Sequence, residues 1–144
     1  MGSDPPQAVA DPRQAVAILR EAAQDGRLDA LCEAHDVRVL TVFGSALRTT
    51  GSPRDLDVAV RFERERGGDL LALVDALTVL TGTDLLDVMV LDRAGPVARE
   101  RALVGCLPLY ESSSGVFAHE QMAAVGERMD TAWLRALDLQ TMRS

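Results

Sequence analysis

The sequence predicts an α/β (α+β) fold: a small mixed β-sheet with helices packed on it and a long helix at its C-terminal end. Three observations carry this. Apolar, β-branched-rich runs recur at 37–43 (VRVLTVF), 55–62 (DLDVAVRF) and 85–91 (LLDVMVL), with a shorter one in LPLYE. Segments with the helical period of about 3.6 residues separate them. No internal repeat and no long linker interrupts the alternation, which favours helices layered on a sheet.

Taken in order, Asp11 is placed to cap a first helix with Pro12 in its opening turn, and Val16, Leu19 and Ala23 fall on one face. Gly26 interrupts that helix, and Leu28, Leu31 and Cys32 mark a second short helix or a continuation. The strand 37–43 ends at Gly44, SALRTT is read as one or two helical turns beginning near Ser45, and GSPR is a turn. After the strand 55–62 comes a charged loop, then a helix over 69–82 with Asp69 as cap and Gly82 as stop. The third strand, 85–91, precedes a helix over 95–105 with Pro96 near its start. The last helix is long, with a break expected near Gly126. Residues 1–10 are read as a disordered tail and 11–144 as a single domain, with a core over 37–112 and a C-terminal helix over 115–142. The sheet order is not fixed by the sequence.

Composition narrows the function classes. The 144 residues carry a net charge of −7, which argues against binding duplex nucleic acid or a membrane surface through a basic face. Aromatics are 3%, too few for a base-stacking platform. Every one of the 15 basic residues is arginine, so lysine Schiff-base chemistry and a lysine-dependent phosphate loop are excluded. Cys32 and Cys106 lie far apart in apolar context and read as free thiols of a reducing cytosol, and His35 and His119 are isolated. The apolar runs are too short to span a bilayer, so a cytoplasmic protein is expected.

The chemistry sits in VFGSALRTTGSPRDLDVAV, 42–60. Side chains alternate faces along a strand, so Asp55 and Asp57 point the same way while Leu56 and Val58 point to a core. Two like charges on one face need solvent or a cation between them, and hard oxygen donors suit Mg²⁺ or Mn²⁺. Asp87 stands in the middle of another apolar run, where an unpaired charge is expensive to bury. It either pairs with an arginine or completes a three-carboxylate cluster. Upstream, Gly44 allows close approach to the backbone, and a helix starting at Ser45 would offer free N–H donors to a phosphate.

These residues resemble the nucleotidyltransferase fold of the DNA polymerase β superfamily, whose pattern is strand, Gly-Ser, a spacer, Asp-x-Asp and a third Asp on a later strand. Here the pattern is Gly44-Ser45, nine residues, Asp55-Leu56-Asp57, then Asp87. The minimal nucleotidyltransferase (MNT) proteins match further: FGSALR resembles their Gly-Ser-x-x-Arg with Arg48 as the arginine, and DVMVLDR and ALVGCLPLYE resemble their third-aspartate strand and closing helix–Gly–strand. The similarity spans roughly 37–112. Thr49 stands where the family often has glycine, a difference in the loop and not in the carboxylates.

The resemblance implies nucleotidyl transfer. Gly44, Ser45 and Arg48 would hold the triphosphate of ATP, and Asp55, Asp57 and Asp87 would hold two Mg²⁺ ions (or Mn²⁺) about 3.5–4 Å apart. It also implies an antitoxin that transfers AMP to a tyrosine of a partner HEPN-domain ribonuclease toxin. Small size fits a protein acceptor, and no direct nucleic-acid binding is expected. The alternatives are transfer to a small-molecule hydroxyl, and a non-catalytic antitoxin that neutralises its partner by binding. Two further segments have more than one reading. RFERER (61–66) is expected to be a solvated strand exit. The stripe Met122, Val125, Met129, Trp133 and Leu137 is expected to cover the chain's own core, with partner contact as the alternative.

Overall fold

The computed structural model describes residues 10–64 and 68–143, with side chains through 138. The tail expected at 1–10 therefore lies almost wholly outside the described residues, as do residues 65 and 66 of the RFERER segment. Four strands, β1 (Val37–Phe43), β2 (Leu56–Phe62), β3 (Leu86–Val90) and β4 (Leu107–Glu111), form one sheet in the order β3-β2-β1-β4. β1 runs antiparallel to β2 and to β4, and β2 runs parallel to β3, so the sheet is mixed as expected. A parallel pair needs a crossover, and α3 (Leu70–Thr81) supplies it.

The period-two alternation divides the strand residues between two layers. Leu40, Val42, Leu56, Val58 and Val60 face α1 (Pro12–Asp25), α2 (Arg27–Ala34) and α3, where they pack with Val16, Leu19, Leu28, Leu73 and Leu77. Phe43 and Ala59 pack in a smaller cluster with Leu91, Ala102, Leu103 and Ala124, which α4 (Pro96–Leu103) and α5 (Val116–Arg143) bring to the other face. Asp57 has the parity of Ala59, so it belongs to that second face.

The caps follow the sequence. Asp11 and Gln14 form a reciprocal capping box on α1, and Asp69 accepts from Ala72 N at 3.1 Å on α3. Gly26 at φ 90° separates α1 from α2, which is a helix of its own. The segment after Gly44 is a single 3₁₀ turn, Ser45–Leu47, in keeping with the one or two helical turns expected there. Two expectations are corrected. The helix α5 runs unbroken through Gly126, whose cost of about 1 kcal/mol a 28-residue helix absorbs. And Arg61 is no solvated exit residue: it pairs with Asp92 and, at 2.8 Å, with Glu120 of α5.

The stripe on α5 is the largest departure. Met122, Met129 and Trp133 are 74%, 67% and 65% exposed, and Val125, Leu134 and Leu137 are exposed as well. The helix buries its opposite side instead, through Glu120 and Ala124, leaving the apolar stripe outward. Together with Val104 of the preceding loop, Met122, Val125 and Met129 line an open groove of about 530 Å³. No described helix is long and apolar enough to cross a membrane.

Candidate active site

Gly44 ends β1 at φ 85°, ψ −156°, a region essentially restricted to glycine. A second constraint acts at the same place: a Cβ on Gly44 would overlap the Oδ2 atom of Asp57. The bare backbone is thus pressed against a carboxylate of the chain itself, a contact distinct from the ligand approach expected at Gly44. The register explains it, since Phe43 is the cross-strand partner of Asp57. Ser45 follows, half-buried, as the first residue of the 3₁₀ turn.

Asp57 and Asp87 are partners on one rung of the parallel β2–β3 ladder. Residues on one rung share a face, so both carboxylates open on the same side of the sheet. Burial pushes the Asp57 carboxyl above its usual range, and the charges of Asp87 and Asp55 push it further, while Arg101 acts in the opposite direction. Asp55 is exposed and sits one residue before β2 begins, not inside the strand. Asp87 is also exposed, which corrects the expectation of a charge buried mid-strand: β3 is the sheet edge, and that position faces water.

The convergence is incomplete. Among the described residues no group of three or more His, Cys, Asp or Glu side chains is set to hold a metal ion. Asp55 and Asp87 are both exposed, so water solvates their charges. In donor chemistry the three fit a hard divalent cation: all are carboxylates, and two stand side by side at the cost of mutual repulsion.

Arg48 is exposed, and its role in the structure is played by its main chain. The Arg13 side chain of α1 donates to the carbonyl oxygens of Arg48 (3.1 Å) and Thr50 (2.8 Å), which ties the spacer loop to the first helix. The cation that does lie over the site is Arg101 of α4, whose guanidinium carbon is 5.9 Å from the centroid of the Phe43 ring. Sequence reasoning missed it. ARERALVG offers Arg99 and Arg101 alike, and only the packing separates them: Arg99 is tied to Leu91 O, Ala94 O and Glu127, while Arg101 projects over Phe43.

No family model and no curated protein sequence matches this chain. Solved structures do. A chain of the complex between a tri-AMPylated Shewanella oneidensis HEPN toxin and an MNT antitoxin superposes with a TM-score of 0.60 at 15% identity, covering 87% of this chain and 99% of that one. A chain of a toxin–antitoxin structure with AMP-PNP gives 0.62 at 16% identity over 83% and 98%. A chain of the MntA–HepT toxin–antitoxin structure gives 0.58 at 14% identity over 83% and 97%. The chain has the nucleotidyltransferase fold. At this identity the likeness speaks for the fold, and it agrees with the Gly44-Ser45, Asp55-x-Asp57 and Asp87 pattern lying at one end of the sheet.

Proposed function

We propose that this chain transfers AMP from ATP to a tyrosine hydroxyl of a partner HEPN ribonuclease toxin, in a Mg²⁺-dependent reaction, and so acts as its cytoplasmic antitoxin. The observation that carries the reading is the backbone of Gly44 pressed against Asp57, with Asp87 on the next strand of the same rung. Similar folds, solved as an AMPylated HEPN toxin with MNT antitoxin and as a toxin–antitoxin pair with AMP-PNP, support the choice of partner and nucleotide.

Asp55, Asp57 and Asp87 would hold the divalent ions. When bound, these supply charge neutralisation at the phosphates and a more acidic acceptor hydroxyl. Gly44 leaves its backbone bare so that the phosphates can approach, and Ser45 offers a hydroxyl beside it. The tyrosine oxygen attacks the α-phosphorus, the bond from that phosphorus to the β-phosphate's bridging oxygen breaks, and pyrophosphate leaves with the electron pair. The phenolic proton passes to a carboxylate, for which Asp87 is exposed and adjacent. The layer of α4 and α5 behind Phe43 and Ala59 keeps that end of the sheet rigid, which positioning of an in-line transfer requires.

A second reading, neutralisation by binding alone, is favoured by the outward apolar stripe of α5. One experiment separates the two. The chain is incubated with a HEPN-domain toxin as candidate partner, Mg²⁺ and ATP labelled at the α-phosphate. Label on a partner tyrosine, lost in Asp57→Ala, is the expected result. A toxin neutralised without label, and neutralised equally by Asp57→Ala, would establish sequestration instead.

A further inference from the structure

The reading above leaves open which cation of this chain meets the triphosphate. The resemblance points to Arg48, but that side chain is exposed on a loop, and what the structure fixes there is its carbonyl oxygen. Five other described arginines are engaged in ion pairs. Arg38 and Arg61 pair with Glu120, Arg99 with Glu127, Arg128 with Glu100, and Arg27 with Asp25 on the far layer. Arg101 belongs to none of these pairs.

Its placement is built, not incidental. The buried Thr41 hydroxyl of β1 donates to Ala102 O at 2.9 Å, pinning the residue next to Arg101 onto the strand that ends in Gly44. Ala102 and Leu103 are fully buried beneath it, and the Gln121 side chain of α5 donates to Leu103 O at 2.9 Å. Arg99 locks the helix start through Leu91 O and Ala94 O. The side chain rising from this clamped turn lies over Phe43, whose cross-strand partner is Asp57 and whose next residue is Gly44. A guanidinium on an aromatic face keeps its fork of N–H donors outward and is pre-organised for a planar or tetrahedral oxyanion.

Resting on the proposed nucleotidyltransferase reading, we propose that Arg101 is a phosphate-binding residue of this chain: parked on Phe43 beside Gly44 and Asp57, it receives the oxygens of the incoming nucleoside triphosphate. Its charge partly offsets that of the carboxylates around Asp57, and its N–H donors suit phosphate oxygens. The ligand class is the polyphosphate, not the base, because Arg101 stands at the Gly44 end of β1, where the phosphate seat is.

The test is equilibrium binding of AMP-PNP and, separately, of inorganic tripolyphosphate, both with Mg²⁺, to the full chain and to Arg101→Ala, Arg101→Lys and the control Arg135→Ala on the outer part of α5. Loss of a charge-assisted hydrogen bond predicts affinity weaker by roughly tenfold to a hundredfold for both ligands in Arg101→Ala. Arg101→Lys falls between, since a lysine restores the charge without the fork, and Arg135→Ala stays within twofold of the parent. Thermal unfolding checks that Arg101→Ala keeps the fold, as expected for an exposed side chain. If the parent binds AMP-PNP and Arg101→Ala binds it within twofold, this inference is wrong while the transferase reading stands. If Arg101→Ala loses AMP-PNP but binds tripolyphosphate like the parent, Arg101 serves the nucleoside, and the inference is again wrong. If the parent itself binds neither ligand, the transferase reading fails and takes this one with it.

Discussion

At the scale of single residues, Asp57 is held in a position that disfavours its charge. Burial disfavours its carboxylate, and Asp87 and Asp55 add like charge that Arg101 only partly offsets. Such a group is kept at the expense of stability, and groups perturbed in this way cluster at functional sites. Asp57→Asn keeps the shape and removes the charge, so the metal-free variant should melt higher than the parent at neutral pH while losing AMP transfer; paired thermal melts and labelling assays check both halves. Gly44→Ala should fail on both counts. It places a Cβ at φ 85° and against Asp57 Oδ2, so we expect it to cost about 1–3 kcal/mol in denaturant unfolding and to abolish labelling. Cys32 offers a cleaner pH signal. Burial, then the charges of Asp29 and Glu33, push its thiol from the ordinary 9.0 up to about 12. The folded thiol therefore stays neutral where the unfolded one ionises. Its contribution to stability is intact below pH 9 and is lost as pH rises from there toward 12. At pH 8, native protein should resist alkylation at Cys32 and label there only on unfolding, whereas Cys106, only half-buried, should label earlier.

At the scale of elements, local signals were readable wherever the physics is local. Asp11, Pro12, Gly26, Asp69 and Gly82 mark helix ends because a cap depends on three or four neighbouring residues, and the structure uses each of them. The β-branched runs became the strands for the same reason. The Gly-Ser and Asp-x-Asp segments are neighbours in space, since one β-hairpin brings 44 against 57. What depends on distant packing was hidden. Nothing in ARERALVG distinguishes Arg101 from Arg99, because the distinction lies in Thr41, 61 residues from its acceptor Ala102. The tie of α5 to the sheet was hidden too. Glu120 is buried, its carboxylate meeting Arg61 at 2.8 Å and Arg38 at 3.6 Å, yet in sequence it is one acid among many. Arg61 Nε and Arg38 Nε have no aligned hydrogen-bond partner, so these contacts act as charge pairs. Glu120→Ala would leave Arg61 with Asp92 alone and remove the ion pair of the partly exposed Arg38, and should destabilise by about 1–2 kcal/mol, more than Glu120→Gln, in chemical denaturation.

At the scale of the whole molecule, the apolar period of α5 misled because period alone says that a face is apolar, not what covers it. The side toward the sheet is built from Phe117, Glu120, Gln121 and Ala124, and the apolar stripe was left outside. A chain that exposes Met122, Met129 and Trp133 beside a groove of about 530 Å³ presents more apolar surface than a free-standing helix needs, and methionine-rich faces suit adaptable contacts with another chain. The reporter is already in place, since Trp133 is the single tryptophan of the sequence. In the isolated chain its fluorescence should be that of an indole in water and acrylamide should quench it readily. Trp133→Ala should shift stability by no more than about 0.5 kcal/mol, as for a surface position. When a HEPN-domain toxin, the proposed partner, is added, the emission should move to the blue and quenching should fall, in step with complex formation and with or without ATP. Emission that ignores the partner would separate α5 from recognition and leave the Asp57 end of the sheet as the meeting point of the two chains.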